Sequence, residues 1–362
     1  IISAVFMVVG IIFAEPMIRF MSGDGTISQT TVSQGVDYFL IQMYGFIPLC
    51  IGFTVTAALR GIGETRVPLF YNTLANVVNL FFNYIMIYGH LGCPKLGVVG
   101  AAWATIIGQT VAFIIAVAVV LRPKEYIHIS FKGGFRFDMP LIKNLADIGI
   151  PSMIETLFLR AGIIIYTRTV AGLGDVMYAT HQVLMSVQSM TFMIGQAFAN
   201  AATTLMGQSI GKRRYDMAVI YMRRTRNLGM AVSLITAILI VIFRDELIAI
   251  FNDTQEVIDT GASILFLLAF SQPFQTDQFI TSGGLRGAGD TRYTAFVIAI
   301  TVLGVRSGLG LLTIRVFNWG LWGAWIALIS DQLLRTVLMI MRYNSGKWKK
   351  IASERFITAD KA

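Results

Sequence analysis

Four asparagines, Asn72, Asn76, Asn79 and Asn83, are spaced four, three and four residues apart in an otherwise apolar stretch. At roughly 100° per residue they fall at about 0°, 40°, 340° and 20°, inside one arc of about 60° on a helix. An amide carries donors and an acceptor but no charge, so the stripe can line a watery or ion-binding cavity. Hydrogen bonding between helices within a bilayer is the other role open to it. Glu155 and Asp277 form a second set. Either binds a cation or neutralises a cationic solute, or is paired for structure with Arg160 or Arg306. Glu155 and Arg160 are five residues apart, about 140° round a helix, so their spacing does not enforce a pair. The third set is His181, Met185, Gln188, Phe192 and, less closely, Gln196, on one side of a helix. Polar, thioether and aromatic groups together suit an adaptable cavity for organic solutes, and equally a packed face with satisfied amides.

The elements that must carry these groups follow from composition. Of 362 residues 55% are hydrophobic and 14% charged, with a mean hydropathy of +0.68. That is too little charge to cover a soluble surface of this size, and it excludes disordered and collagen-like chains. Cys50 and Cys93 are too few for a zinc cluster or a disulfide framework. Apolar stretches of about 20 residues predict ten spans, roughly 1–20, 35–59, 67–89, 96–121, 147–170, 176–206, 228–243, 256–284, 292–316 and 320–341. The short one at 228–243 has room to extend toward Arg224.

Basic residues orient the spans, because connections that stay in the cytoplasm retain them during insertion. With these spans, 21 lysines and arginines fall on one side and 4 on the other, while Arg160, Arg168, Arg306 and Arg335 remain inside. The C-terminus and the basic connection at 122–146 are therefore expected in the cytoplasm of a multi-pass plasma (inner) membrane protein. The net charge of +9 is topological, compatible with contact to anionic membrane lipids and giving no support to nucleic acid as a partner. Asp138-Met139-Pro140 in the connection predicts a helix start and a short interfacial segment with Leu141, Ile142 and Leu145 as its apolar face.

An internal repeat organises the whole. Leu59-Arg60-Gly61-Ile62-Gly63-Glu64-Thr65-Arg66 returns as Leu285-Arg286-Gly287-Ala288-Gly289-Asp290-Thr291-Arg292, and Gly97, Gly100, Ala101, Ala104 and Gln109 return as Gly320, Gly323, Ala324, Ala327 and Gln332. Six spans separate the copies, an even number, so they share one orientation and an axis along the membrane normal. The asparagine stripe is not repeated: Ile298, Val302, Val305 and Leu309 stand in its place, with Arg306 beside them as a candidate gate or charge partner. Residue 1 matches about residue 231, so roughly 85 residues of the second copy have no counterpart. We therefore expect an all-α polytopic membrane protein of two six-helix lobes with ten of twelve spans present. The amino-terminal lobe is 1–121, the linker 122–146, the carboxy-terminal lobe 147–342 and the tail 343–362.

These motifs, with Ala179-Thr180-His181-Gln182 and Ala201-Ala202-Thr203-Thr204-Leu205-Met206-Gly207-Gln208-Ser209-Ile210-Gly211, resemble the multidrug and toxic compound extrusion (MATE) family over essentially the whole chain. The resemblance implies a bacterial inner-membrane antiporter that expels cationic or amphipathic organic compounds in exchange for Na+ or H+. It implies a cation or proton site in the first lobe at Asn79 and Asn83, where many members carry Asn-x-x-x-Asp, with Thr105 in the next helix. Asn83 can offer a carbonyl oxygen to Na+ but cannot titrate. In the second lobe the family's acids fall near Leu159 or Arg160 and near Gln275, so they match Glu155 and Asp277 by helix rather than by register.

Neither a nucleotide site nor an enzyme is expected. The Arg-Gly-x-Gly-acid-Thr-Arg turns lack the spacing of a phosphate loop, and Glu64 or Asp290 can cap the helix that follows. No catalytic triad or metal cluster accompanies them, and no cofactor is expected beyond the coupling ion. A monomer is expected. Two rivals remain: a lipid-linked oligosaccharide flippase of the related superfamily, which should line its cavity with several cations, and a non-transporting membrane assembly subunit.

Overall fold

A computed structural model describes residues 2–22, 29–122 and 139–359, and every regular element among them is helical. The chain divides into two compact units, Ile1–Phe135 and Arg136–Ala362. The first holds α1 (Ile2–Ser22), α2 (Gln29–Tyr44), α3 (Phe46–Gly61), α4 (Arg66–Tyr88) and α5 (Val98–Leu121). The second holds α6 (Met139–Ala171), α7 (Asp175–Gly211), α8 (Tyr215–Ile242), α9 (Arg244–Ala249), α10 (Gln255–Gly287), α11 (Thr291–Ile298), a π-helical segment (Ala299–Arg306), α12 (Ser307–Arg315), α13 (Gly320–Asn344) and α14 (Lys347–Ala359).

The protein is an all-α polytopic membrane protein. Seven helices, counting α11 through α12 as one, are long and apolar enough to cross a bilayer, or eight if α2 and α3, bent by 49°, form one broken span. α4 and α7 are long enough but more polar, because one carries the asparagines and the other a run of serines, threonines and glutamines. Lipid-facing side chains mark the outside of α4. Phe70, Val77 and Phe81 are exposed and lie roughly 140–180° round the helix from the asparagines.

Three boundaries differ from expectation. α8 begins at Tyr215 rather than near 228, which brings Arg223, Arg224 and Arg226 into a helix and removes them from a loop. α6 runs unbroken from Met139 through Pro151 to Ala171, so the expected interfacial segment is continuous with the following span. The repeat equivalent of α4 is interrupted by the π segment at Ala299–Arg306. The proposed cap at Asp138 lies outside the described residues.

The repeat is visible in backbone detail. After α3, the Glu64 amide donates to Leu59 O and the Gly63 amide to Arg60 O, both at 2.9 Å; after α10, Asp290 donates to Leu285 O and Gly289 to Arg286 O, again at 2.9 Å. This double bond closes a helix only when the fifth residue is left-handed, as Gly63 and Gly289 are at φ 93° and 83°. Neither following helix has a side-chain cap, contrary to the expectation for Glu64 and Asp290. Asp290 instead accepts from Arg342 of α13 at 2.7 Å.

Small residues set the helix spacing. A Cβ on Gly108 of α5 would lie 2.8 Å from Ala75 O of α4, so the two backbones touch there. In the second unit Thr203 of α7 donates to Gly283 O of α10 at 2.8 Å, across a contact with no room for a Cβ on Gly283. Two apolar cores fill that unit. One gathers Leu184, Leu265, Leu268, Trp325 and Leu328; the other gathers Met206, Met222, Leu285, Val302, Met339 and Trp348.

Candidate functional site

In the first unit α3, α4 and α5 line an open-sided cavity of about 270 Å³. Asn72, Asn76 and Asn79 face it from α4, Thr105 and Gln109 from α5, and Pro48, Gly52 and Thr56 from α3. Pro48 has no amide hydrogen to donate within α3, where the bent α2–α3 pair passes the cavity. The polar groups are partly committed. Asn72 Nδ2 donates to Pro68 O at 2.7 Å, and Thr56 and Tyr71 share a hydroxyl hydrogen bond of 2.6 Å. Asn83 is not in the lining; its Nδ2 donates to Asn79 Oδ1 at 3.0 Å and so orients that amide toward Thr105, 3.5 Å from Asn79 Nδ2. Gln109 Oε1 is buried with no partner, an acceptor left for a guest or a water. Every lining side chain is uncharged.

The second unit is built on buried ion pairs. Glu155 of α6, 3% exposed, accepts from Arg286 Nη1 at 3.2 Å and from Thr294 Oγ1 at 3.0 Å. It therefore sits level with the Leu285–Arg292 turn, beneath the end of α10, rather than well inside the span. Asp277 of α10, 4% exposed, is bidentate to Arg226 of α8. Both residues lie about 15 Å along their helices from the ends that face the same loops. Neither acid pairs with Arg160, which is exposed, or with Arg306. The helical register turns Arg160 outward, and the longer α8 supplies Arg226 instead.

Arg306 leads to the residue that sequence reasoning passes over. Its Nε and Nη2 reach Asp331 Oδ2 of α13 at 2.9 and 2.7 Å, and Arg335 Nη2 lies 2.6 Å from both Asp331 oxygens. Asp331 is fully buried. Its signal was in the sequence: an acid four residues before an arginine within an apolar span is a ready intrahelical pair.

The third set separates along α7. His181, 1% exposed, is packed between the rings of Tyr166 and Trp325 at 5.5 and 6.0 Å. Met185 lies against the adjoining core, Gln188 is buried, and Phe192 is exposed and meets Phe279 edge-on at 4.6 Å. Gln275 is buried beside Asp277 in sequence, with Oε1 unpartnered, as is Oε1 of Gln196.

Comparison with known proteins agrees with this architecture. The MatE family model matches residues 1–85 and 151–312. The chain is 30% identical over 322 residues to a probable multidrug resistance protein NorM of Thermotoga maritima, covering 88% of this chain and 68% of that protein. It is 30% identical over 288 residues to multidrug resistance protein MdtK of Yersinia pestis, covering 78% of this chain and 63% of that protein, and so spans under two thirds of its length. Among solved structures, a MATE in a bent conformation matches with a TM-score of 0.85 at 18% identity, over 97% of this chain and 78% of its own. A MOP superfamily transporter from Pyrococcus furiosus matches with 0.87 at 18% identity, over 97% and 77%. With the model covering more than half of its residues and the fold shared, the chain belongs to the MatE family of transporters.

Proposed function

We propose that the chain acts in secondary active antiport, moving cationic or amphipathic organic compounds out of the cell in exchange for Na+ or H+. The observation that carries this reading is the uncharged, amide-lined cavity between α3, α4 and α5, which is the asparagine stripe turned inward. Amides and hydroxyls hydrate a solute without fixing its charge, while Pro48 and Phe53 give it apolar contact. Two relatives named as multidrug resistance proteins support the substrate class.

The charge pattern divides the coupling work between the units. The cavity lining holds no carboxylate, so an ion there would be Na+ on amide and hydroxyl oxygens, with Asn79 oriented by Asn83. Among the described residues, Glu155, Asp277 and Asp331 are buried carboxylates that offer a proton an entry point, each already held by an arginine. Ion and solute need only stabilise two states differently to be coupled. We place the protein in the plasma (inner) membrane as a monomer, with the two Arg-Gly-x-Gly turns, the 122–146 connection and the C-terminus in the cytoplasm, and with no cofactor and no nucleic acid.

Transport in proteoliposomes with Na+ and H+ gradients imposed separately tests the reading. Efflux of a cationic dye should follow one of the two gradients. Dye movement indifferent to both would sink antiport.

A further inference from the structure

We infer that the second unit holds a binding site for a small monovalent anion, of the size and charge of chloride, at the Arg306–Asp331–Arg335 cluster. Two guanidinium groups face one carboxylate there, and among the described residues none of the three makes an ion pair outside the cluster. Two positive charges less one negative leave one positive charge unanswered, with side-chain exposures of 11%, 0% and 6% for Arg306, Asp331 and Arg335. Asp331 lies about 16 Å along α13 from Gly320 and about 20 Å from Asn344, near the middle of a core of about 30 Å, where an unpaired charge is costly. An anion removes that cost and a cation increases it.

The hydrogen-bonding inventory agrees. Both Asp331 oxygens are occupied by arginine donors, so the carboxylate has little left to offer a metal ion. Arg335 Nε is engaged with Thr301 Oγ1 at 3.3 Å, while Nη1 of either guanidinium takes no part in these bonds. The Tyr166 ring lies 5.9 Å from the Arg306 guanidinium. Tyr166 Oη is buried without a partner among the described residues. A phenol beside a guanidinium group donates readily to an anion. Arg306, the most exposed of the three, hangs from the π segment, whose extra residue per turn re-aims the side chain toward α13.

A halide and the carboxylate of an organic solute share this chemistry, and experiment separates them. The thermal unfolding of the purified full chain is followed in detergent at constant sodium and ionic strength, replacing a bulky sulfonate with chloride or with benzoate. Chloride should raise the midpoint by about a few degrees, climbing with the logarithm of its concentration, as expected of a ligand held only by the folded state. Arg306→Gln, which balances the cluster at one positive and one negative charge, should abolish the chloride response. Asp331→Asn, which raises the net charge to two, should bind chloride at lower concentration; it keeps the test decisive if the first variant does not fold. Equal midpoints in chloride and the sulfonate, or an unchanged response in Arg306→Gln, would overturn the site. A response to benzoate but not to chloride would overturn the halide and assign the cluster to an organic carboxylate. No arm measures transport, so the result is independent of the antiport reading.

Discussion

Asp277 accepts two hydrogen bonds from Arg226, Oδ1 from Nε at 2.5 Å and Oδ2 from Nη2 at 2.8 Å, across 51 residues of sequence. The carboxylate is 6% exposed and the guanidinium 31%, so the pair ties α8 to α10 with the acid as its buried partner. Fork-to-fork geometry fixes the orientation of the pair as well as its distance.

Removing only the arginine leaves a carboxylate buried alone. Arg226→Gln should destabilise the protein by about 2 kcal/mol, below the 3–5 kcal/mol typical of fully buried pairs because Arg226 is partly solvated. Asp277→Asn combined with Arg226→Gln should recover much of that loss. Unfolding midpoints of the singles and the double in a mutant cycle check this, and strictly additive losses would refute the coupling.

Asn76 faces the first unit's cavity from the middle of the stripe. Asn76→Leu keeps the side-chain size while removing its amide. Dye efflux should fall by about tenfold or more, the loss of one oriented hydrogen bond to a guest, with little change in stability. Efflux measured at equal protein density decides it, and unchanged efflux would leave the asparagine with a packing role only.

Asn83 orients Asn79 but carries no proton. Asn83→Asp introduces a titratable group next to that amide. If coupling passes through the cavity, efflux should become dependent on pH. The sign follows from which form is charged: above the new pKa the carboxylate attracts a cation, and below it the site returns to neutral amide chemistry. A pH profile of efflux superimposable on that of the parent would exclude the site from coupling.

Gly283 meets the α7 backbone with no space for a Cβ. Gly283→Val should separate α7 from α10, break the Thr203 hydrogen bond and cost about 3 kcal/mol. Gly289→Ala, with φ of 83° but a turn otherwise intact, should cost only about 1 kcal/mol. Comparing their midpoints tests whether close approach outweighs turn geometry, and a larger loss for Gly289→Ala would reverse that order.

Trp348 anchors α14 beside α13. It is 1% exposed, stacks on Tyr343 at 5.8 Å and donates Nε1 to Tyr343 O at 3.2 Å. Trp348→Ala should free residues 347–354, at a cost of about 3 kcal/mol or more for the buried indole. Amide exchange in that segment should rise while α10 remains protected.

The sequence by itself determined the spans, the repeat and the face of α4 that turns inward. Each is a periodic property of one stretch of chain: apolar runs of bilayer length, a motif recurring with its glycines in register, and four amides in one arc. The Gly63 and Gly289 turns came out alike because a left-handed residue at that position is a local requirement. Only the tertiary structure decided the partners of the buried charges. Glu155 goes to Arg286 at 131 residues' distance and Asp277 to Arg226, neither of them Arg160 or Arg306, the intramembrane arginines that the sequence offered as partners. Asp331 is the instructive case. Its bond to Arg335 was legible at a separation of four, but the approach of Arg306 depends on a π segment that shifts helical register, which residue spacing does not encode. Long-range electrostatics in a low-dielectric interior is settled by which helices touch and by how each is rotated, and those belong to packing rather than to period.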